Sequence, residues 1–239
     1  MPSRLIASLE AAAPLAPEAR RALEELAQLR RVVIPAGTEF VAEGEPTQEC
    51  RLLLVGHAFR HRTLSDGRRQ IMNFHVPGDF VDLQGLVLEI DHSVTALSEC
   101  EVAIVPHARL NAIIDGYPAV TRALWRFTLL EGAVFREWMV GMGRRSAYAR
   151  IAHLLCEVFL RLRQVGLVER NRCRFPVTQT HLSDALGLSV VHTNRVLQAL
   201  RANRLVEFNG GELVVLDWPG LTAAGEFDPS YLHLRRAAA

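Results

Sequence analysis

Val191, Asn194, Arg195 and Gln198 lie at helical spacing in the stretch TQTHLSDALGLSVVHTNRVLQALRANRLV, residues 178–206. Steps of three and four put all four on one face of a helix, while Thr193, Val196, Leu197 and Leu200 fall on the opposite, inward face. Asn and Arg side chains can read adenine and guanine bidentately, and Val can contact a thymine methyl. Thr178 is placed to cap a first short helix whose buried side is Leu182, Ala185 and Leu186. Gly187 ends it, and Ser189 caps a second helix running to about Ala202. Helix, short glycine turn, helix is the geometry in which the second helix enters the DNA major groove head first. The expected DNA-contact set is Thr178, Gln179, Ser189, Val190, Val191, His192, Asn194, Arg195 and Gln198, with His192 assigned to a phosphate. Two short apolar runs then flank Asn209-Gly210-Gly211, a hairpin signal that reads as the wing of a winged helix-turn-helix.

Other chemistry-bearing residues do not form sites. Cys50, Cys100, Cys156 and Cys173 are far apart and form no CxxC pair, so all four read as buried or half-buried thiols rather than metal ligands, with a redox signal at Cys156 or Cys173 left open. His57, His61 and His75 punctuate the N-terminal half without the His-x-His and following Glu that a cupin metal centre needs. No metal site and no catalytic constellation emerges, so a cupin-like enzyme ranks only as an alternative.

The elements that must carry the DNA-reading face follow from composition and periodicity. Of 239 residues, 49% are hydrophobic and 22% charged, as in a folded soluble protein. All 27 basic side chains are Arg, set against 26 acids for a net charge of +1. That balance conceals a split. Residues 1–143 hold 14 Arg and 18 acids, whereas residues 144–239 hold 13 Arg and 8 acids, as suits a neutral module joined to one that meets a polyanion. No apolar run reaches the roughly 18 residues of a membrane span, and the early charges of the N-terminus do not suit a signal peptide. The expected location is the cytoplasm, away from any membrane.

Residues 17–31 have helical spacing. From Val32 to about Pro106, short Val, Ile, Leu and Phe runs alternate with turns, which predicts an antiparallel β jelly roll with its clearest hairpin at Asp66-Gly67. A short helix over 107–114 precedes a long one entered at Pro118. Along it Val120, Leu124, Phe127, Leu130, Val134 and Trp138 recur at steps of three and four, the expected seam of a homodimer, with Trp125, Leu129, Phe135 and Met139 on other faces. Gly141 and Gly143 suggest a hinge. An amphipathic helix over 146–165 and a loop with a short strand at 173–177 lead into the helix-turn-helix. The expected fold class is α+β: a β-roll sensor domain over 1–116, a dimerisation helix over 117–143, a winged helix-turn-helix over 144–220 and a tail over 221–239.

In this order the elements resemble the catabolite-activator and fumarate-nitrate-regulator superfamily of bacterial transcription factors, over residues 20–220. PAGTEFVAEGEPTQECRLLLVGHAFRHRTLSDGRRQIMNFHVPGDF resembles its cyclic-nucleotide-binding-like domain, CEVAIVP that domain's last strand, and LGLSVVHTNRVLQALRANRLV its recognition helix. The resemblance implies a homodimer on a two-fold promoter site, with double-stranded DNA, a second copy of the chain and RNA polymerase as partners. It also implies a recognition helix bearing Glu, then Ser or Gly, then Arg. Arg195 matches, but Val191 and Asn194 stand at the other two positions. Cyclic-nucleotide binders carry a Gly-Glu pair and, about ten residues later, an Arg for the phosphate. Here the two stretches are GDFVDLQG and EIDHSVTA, so cyclic AMP control is not expected, and a cyclic-nucleotide-dependent activator is the runner-up. An iron-sulfur cysteine cluster is missing as well, and haem stays open, so the cofactor is unassigned. Any effector is expected among Gly78, Asp79, Asp82, Leu83, Gln84, Ser93 and Thr95.

Overall fold

The computed structural model describes residues 4–10 and 14–234. The chain divides into two compact units, one built from residues up to Arg62 with Phe74–Glu131, the other from Thr63–Asn73 with Gly132–Leu232.

The first unit opens with helices α1 (Arg4–Leu9) and α2 (Pro17–Leu26). Seven strands follow: β1 (Arg31–Ile34), β2 (Glu39–Val41), β3 (Glu49–Val55), β4 (Ala58–Thr63), β5 (Arg69–His75), β6 (Ser93–Ala96) and β7 (Cys100–Pro106). They form two antiparallel sheets, ordered β1-β7-β3 and β2-β6-β4-β5, which is the expected roll. Gly67, at φ 84°, turns the hairpin between β4 and β5, as Asp66-Gly67 predicted. Helix α3 (His107–Gly116) leads into α4 (Pro118–Arg144).

Helix α1 was not foreseen. Six residues are too few to nucleate a helix alone, but Leu5, Ile6 and Leu9 are buried in the same core as Leu23, Leu26, Leu52, Phe80 and Leu110. Gly78 is what permits the approach: it adopts φ 105°, and a Cβ there would lie 2.6 Å from the Arg4 carbonyl oxygen.

The second unit contains α5 (Ala147–Gln164), β8 (Val168–Glu169), β9 (Arg172–Arg174), α6 (Gln179–Leu186), α7 (Val190–Ala202), β10 (Val206–Asn209), β11 (Glu212–Val215) and α8 (Trp218–Ala224). Four expectations need correction here. Helix α4 runs through Gly141 and Gly143 without a break, the Gly141 carbonyl still accepting from Arg145 at 3.0 Å. The chain turns at Ser146 instead, whose hydroxyl caps α5 by accepting from the Ala149 amide. The wing is four-stranded, ordered β10-β11-β9-β8, because β11 pairs on its far edge with β9 through Leu213 and Cys173. Its strand at β9 stops at Arg174, short of the expected 173–177. Finally, residues 221–234 are no tail: α8 begins at Trp218, and Leu221, Phe227 and Leu232 are buried, while 235–239 lie outside the described residues.

Candidate nucleic-acid interface

Helices α6 and α7 are held by caps that the sequence encodes. Thr178 accepts from the His181 amide, while the His181 ring accepts from the Thr178 amide at 3.1 Å, a reciprocal capping box. Burial, and then the nearby Arg69 charge, hold His181 below the ordinary histidine range, which suits a ring nitrogen that must accept. Gly187 sits in the left-handed region at φ 62° and ends α6, and Ser189 caps α7 by accepting from the His192 amide.

The inward face of α7 is as expected. Thr193, Val196, Leu197 and Leu200 are all buried, which fixes the helix about its own axis. The opposite face is therefore presented outward by packing. Val190 is 44% and Val191 71% exposed, and Ser189, His192, Arg195 and Gln198 are exposed with them. Thr178 is exposed at the head of α6. Asn194 differs from the rest. It is half-buried and its amide donates to Gln179 Oε1 at 3.0 Å, so Asn194 and Gln179 join the two helices to each other. Sequence spacing missed this because the partner lies 15 residues earlier, on the other helix. The wing is tied to the same helix by Arg201, which donates to the Phe208 carbonyl.

The roll uses the residues expected of an effector site for its own structure. Asp82 is fully buried and takes two hydrogen bonds from Arg51, one from its amide and one from its guanidinium, both at 2.7 Å. Asp79 accepts from the Val76 amide, Gln84 donates to the Glu89 carbonyl, Ser93 accepts from the Glu43 amide and Thr95 bonds the His61 ring at 2.9 Å. Leu83 is buried and Gly78 receives α1. As a ligand-binding carboxylate Asp82 is thus corrected: it is a structural partner of Arg51. His57, His61 and His75 are buried within the roll, and among the described residues no group of three His, Cys, Asp or Glu is gathered for a metal ion. No described helix is long and apolar enough to cross a membrane.

The expected dimer seam also needs correction. Val120, Leu124, Val134 and Trp138 are buried against their own chain, with Phe127 and Leu130 half-buried. The large apolar side chains that α4 exposes include Trp125 at 66%, Leu129 at 57%, Phe135, Met139 and Met142, at steps of three and four around Gly132, with Val140 beside them. The signal was in the sequence, but a helix apolar nearly all round does not say which face meets its own subunit.

Comparison with known proteins agrees with this architecture. Residues 31–117 match the cyclic nucleotide-binding domain family and residues 149–224 the Crp-like helix-turn-helix domain family. The transcriptional activator protein FnrA of Stutzerimonas stutzeri is 31% identical over 169 residues, 70% of this chain and 68% of its own length. FnrL of Cereibacter sphaeroides, also a transcriptional activator protein, is 28% identical over 200 residues, 81% of this chain and 80% of its own. The solved structure of FixK2 from Bradyrhizobium japonicum superimposes with a TM-score of 0.74 at 26% identity, covering 88% of this chain and 98% of that one.

Proposed function

The chain belongs to the catabolite-activator and fumarate-nitrate-regulator family of DNA-binding transcription regulators, and from that premise we propose that it acts as a homodimer whose two α7 helices enter successive major grooves of a two-fold promoter site. It is a regulator and not an enzyme. The observation that carries the reading is the fixed orientation of α7: one face fully packed, the other presenting Val191, His192, Arg195 and Gln198 outward. Arg195 is the base reader, suited to guanine, while Thr178, Ser189 and His192 lie at helix heads where amides and hydroxyls meet phosphate. Asn194 and Gln179 support the geometry by holding α6 to α7.

Dimerisation is assigned to the exposed face of α4, because a contiguous strip of Trp125, Leu129, Phe135 and Met139 is unfavourable in water. The two recognition helices would then lie about 34 Å apart, one turn of the duplex. RNA polymerase as a further partner and a cytoplasmic place of action follow from the same role. In the roll Asp79, Asp82, Gln84, Ser93 and Thr95 are already hydrogen-bonded to their own chain, which supports control by something other than cyclic AMP.

A gel-shift titration of full-length protein against promoter fragments and random duplex tests the reading. Specific binding that falls steeply with salt is expected, since each phosphate contact releases counterions. Equal affinity for random duplex at moderate salt would refute it.

A further inference from the structure

We infer that Val191 is a specificity-determining residue that selects a thymine through its 5-methyl group, within about two base pairs of the guanine read by Arg195. This rests on the major-groove placement of α7 proposed above.

Four observations converge on Val191. It is the second residue of α7, at the end of a recognition helix that reaches base edges. It is the more exposed of an adjacent apolar pair, at 71% against 44% for Val190, on a face whose neighbours are polar. Nothing local favours it: a β-branched residue loses rotamer freedom in a helix, and an exposed one gains no burial in return. Lastly, Asn194, the polar reader closest to it on this face, is half-buried and held by Gln179. Direct reading at the head of α7 therefore falls to Val191 and Arg195.

The base edges in the major groove offer a valine one compatible feature. Guanine, adenine and cytosine present donors and acceptors there, and thymine adds a methyl. Packing Val191 on that methyl removes apolar surface from water on both sides, whereas packing it on a cytosine amine leaves a polar group dehydrated and unpaired. The branched side chain has one strongly preferred rotamer, so its methyls are already positioned. Val191 and Arg195 are four residues apart, about 6 Å along the helix axis at 1.5 Å per residue. At about 3.4 Å per base pair, that separation corresponds to about two steps of the duplex.

The test first selects binding sites for the full-length protein from a random duplex pool. Each thymine of the selected half-site is then replaced by deoxyuridine, which deletes the methyl and keeps the base pair. One position per half-site, within two base pairs of the guanine whose contact is lost in Arg195→Ala, should weaken binding about three- to fourfold. Val191→Ala, an exposed change that leaves the core intact, should bind the thymine site more weakly and lose the response to deoxyuridine there. Wild-type protein indifferent to deoxyuridine at every position, or a Val191→Ala protein with an undiminished response, would overturn the assignment to Val191 while leaving sequence-specific binding in place. Selection that yields no preferred site would overturn the groove-reading proposal itself, and the role of Val191 with it.

Discussion

The Tyr231 hydroxyl donates a 2.8 Å hydrogen bond to the carboxylate of Glu157, joining a C-terminal turn to the middle of α5. Glu157 is fully buried and accepts also from the Trp138 indole at 3.0 Å, so one carboxyl group fastens α4, α5 and the segment after α8 together. Arg161 lies 3.5 Å away as its charge partner. His153, one turn earlier on α5, stands 3.1 Å from the same Tyr231 oxygen and bonds the Gly225 carbonyl through its other nitrogen.

Burial holds Glu157 above the ordinary carboxylate range despite these partners. A folded pKa above the unfolded one means that the folded state binds the extra proton, and that contribution is lost as pH rises from the unfolded value through the folded one. Glu157→Gln keeps an oxygen for Trp138 and Tyr231 but cannot ionise. Its melting temperature relative to wild type should therefore climb as pH is raised from about 4 to neutrality. Glu157→Ala should instead cost about 1–3 kcal/mol for each buried donor left unpaired. Thermal melts across that pH range distinguish the two, and parallel curves for wild type and Glu157→Gln would refute the argument.

For His153 the sign is opposite. Burial first, and then the Arg145 charge, hold its pKa below the ordinary 6.5. Its contribution is complete above that value and is lost as pH falls toward the folded pKa, because the unfolded state then binds the proton more readily. His153→Gln should show a smaller loss of melting temperature between pH 7 and pH 5 than wild type. His92 and His181, which burial also holds low, should keep the remaining loss from vanishing.

Two substitutions on α4 separate its faces. Leu129→Asp, on the exposed face, should yield a folded 26.6 kDa monomer in sedimentation. Val134→Asp places a charge in the subunit's own interior and should destabilise the fold, by roughly several kcal/mol. A folded Val134→Asp monomer together with an intact Leu129→Asp dimer would restore the seam that spacing alone suggested.

Cyclic AMP should leave the melt unchanged. A ligand at one hundred times its dissociation constant adds about 2.7 kcal/mol, which a thermal scan detects readily. Asp82, Ser93 and Thr95 are already bonded to Arg51, Glu43 and His61, and no arginine occupies residues 78–96. An upward shift with cyclic AMP would show that the roll accommodates the phosphate by another route.

The cysteines should be inert in the native protein. Burial raises the thiols of Cys50, Cys156 and Cys173 to about 12 and that of Cys100 to about 11, leaving little thiolate at neutral pH. A redox signal at Cys156 or Cys173, compatible with the sequence alone, does not suit these environments. A colorimetric thiol reagent should titrate all four only after denaturation; rapid labelling of the native protein would contradict this.

Most of the architecture is legible in the sequence because it rests on local rules. Alternation and turn glycines mark the roll from Val32 to Pro106, three- and four-residue spacing marks α4 to α7, and Thr178, Gly187 and Ser189 announce the ends of the helix-turn-helix. Each of these signals acts within a few residues, through hydrogen bonds or periodicity that a strand or helix must obey wherever it is placed. What only the tertiary structure decided is which groups meet over long separations. Helix α1 exists because Gly78 gives it a floor, Asn194 holds α6 because Gln179 faces it, and Asp82 is a partner of Arg51. Glu157, Trp138 and Tyr231 stand together, and α4 turns Val134 inward and Leu129 outward. Periodicity defines the faces of an element, but the choice of which face is covered depends on the total apolar area that the rest of the chain brings to it. No window of sequence contains that information.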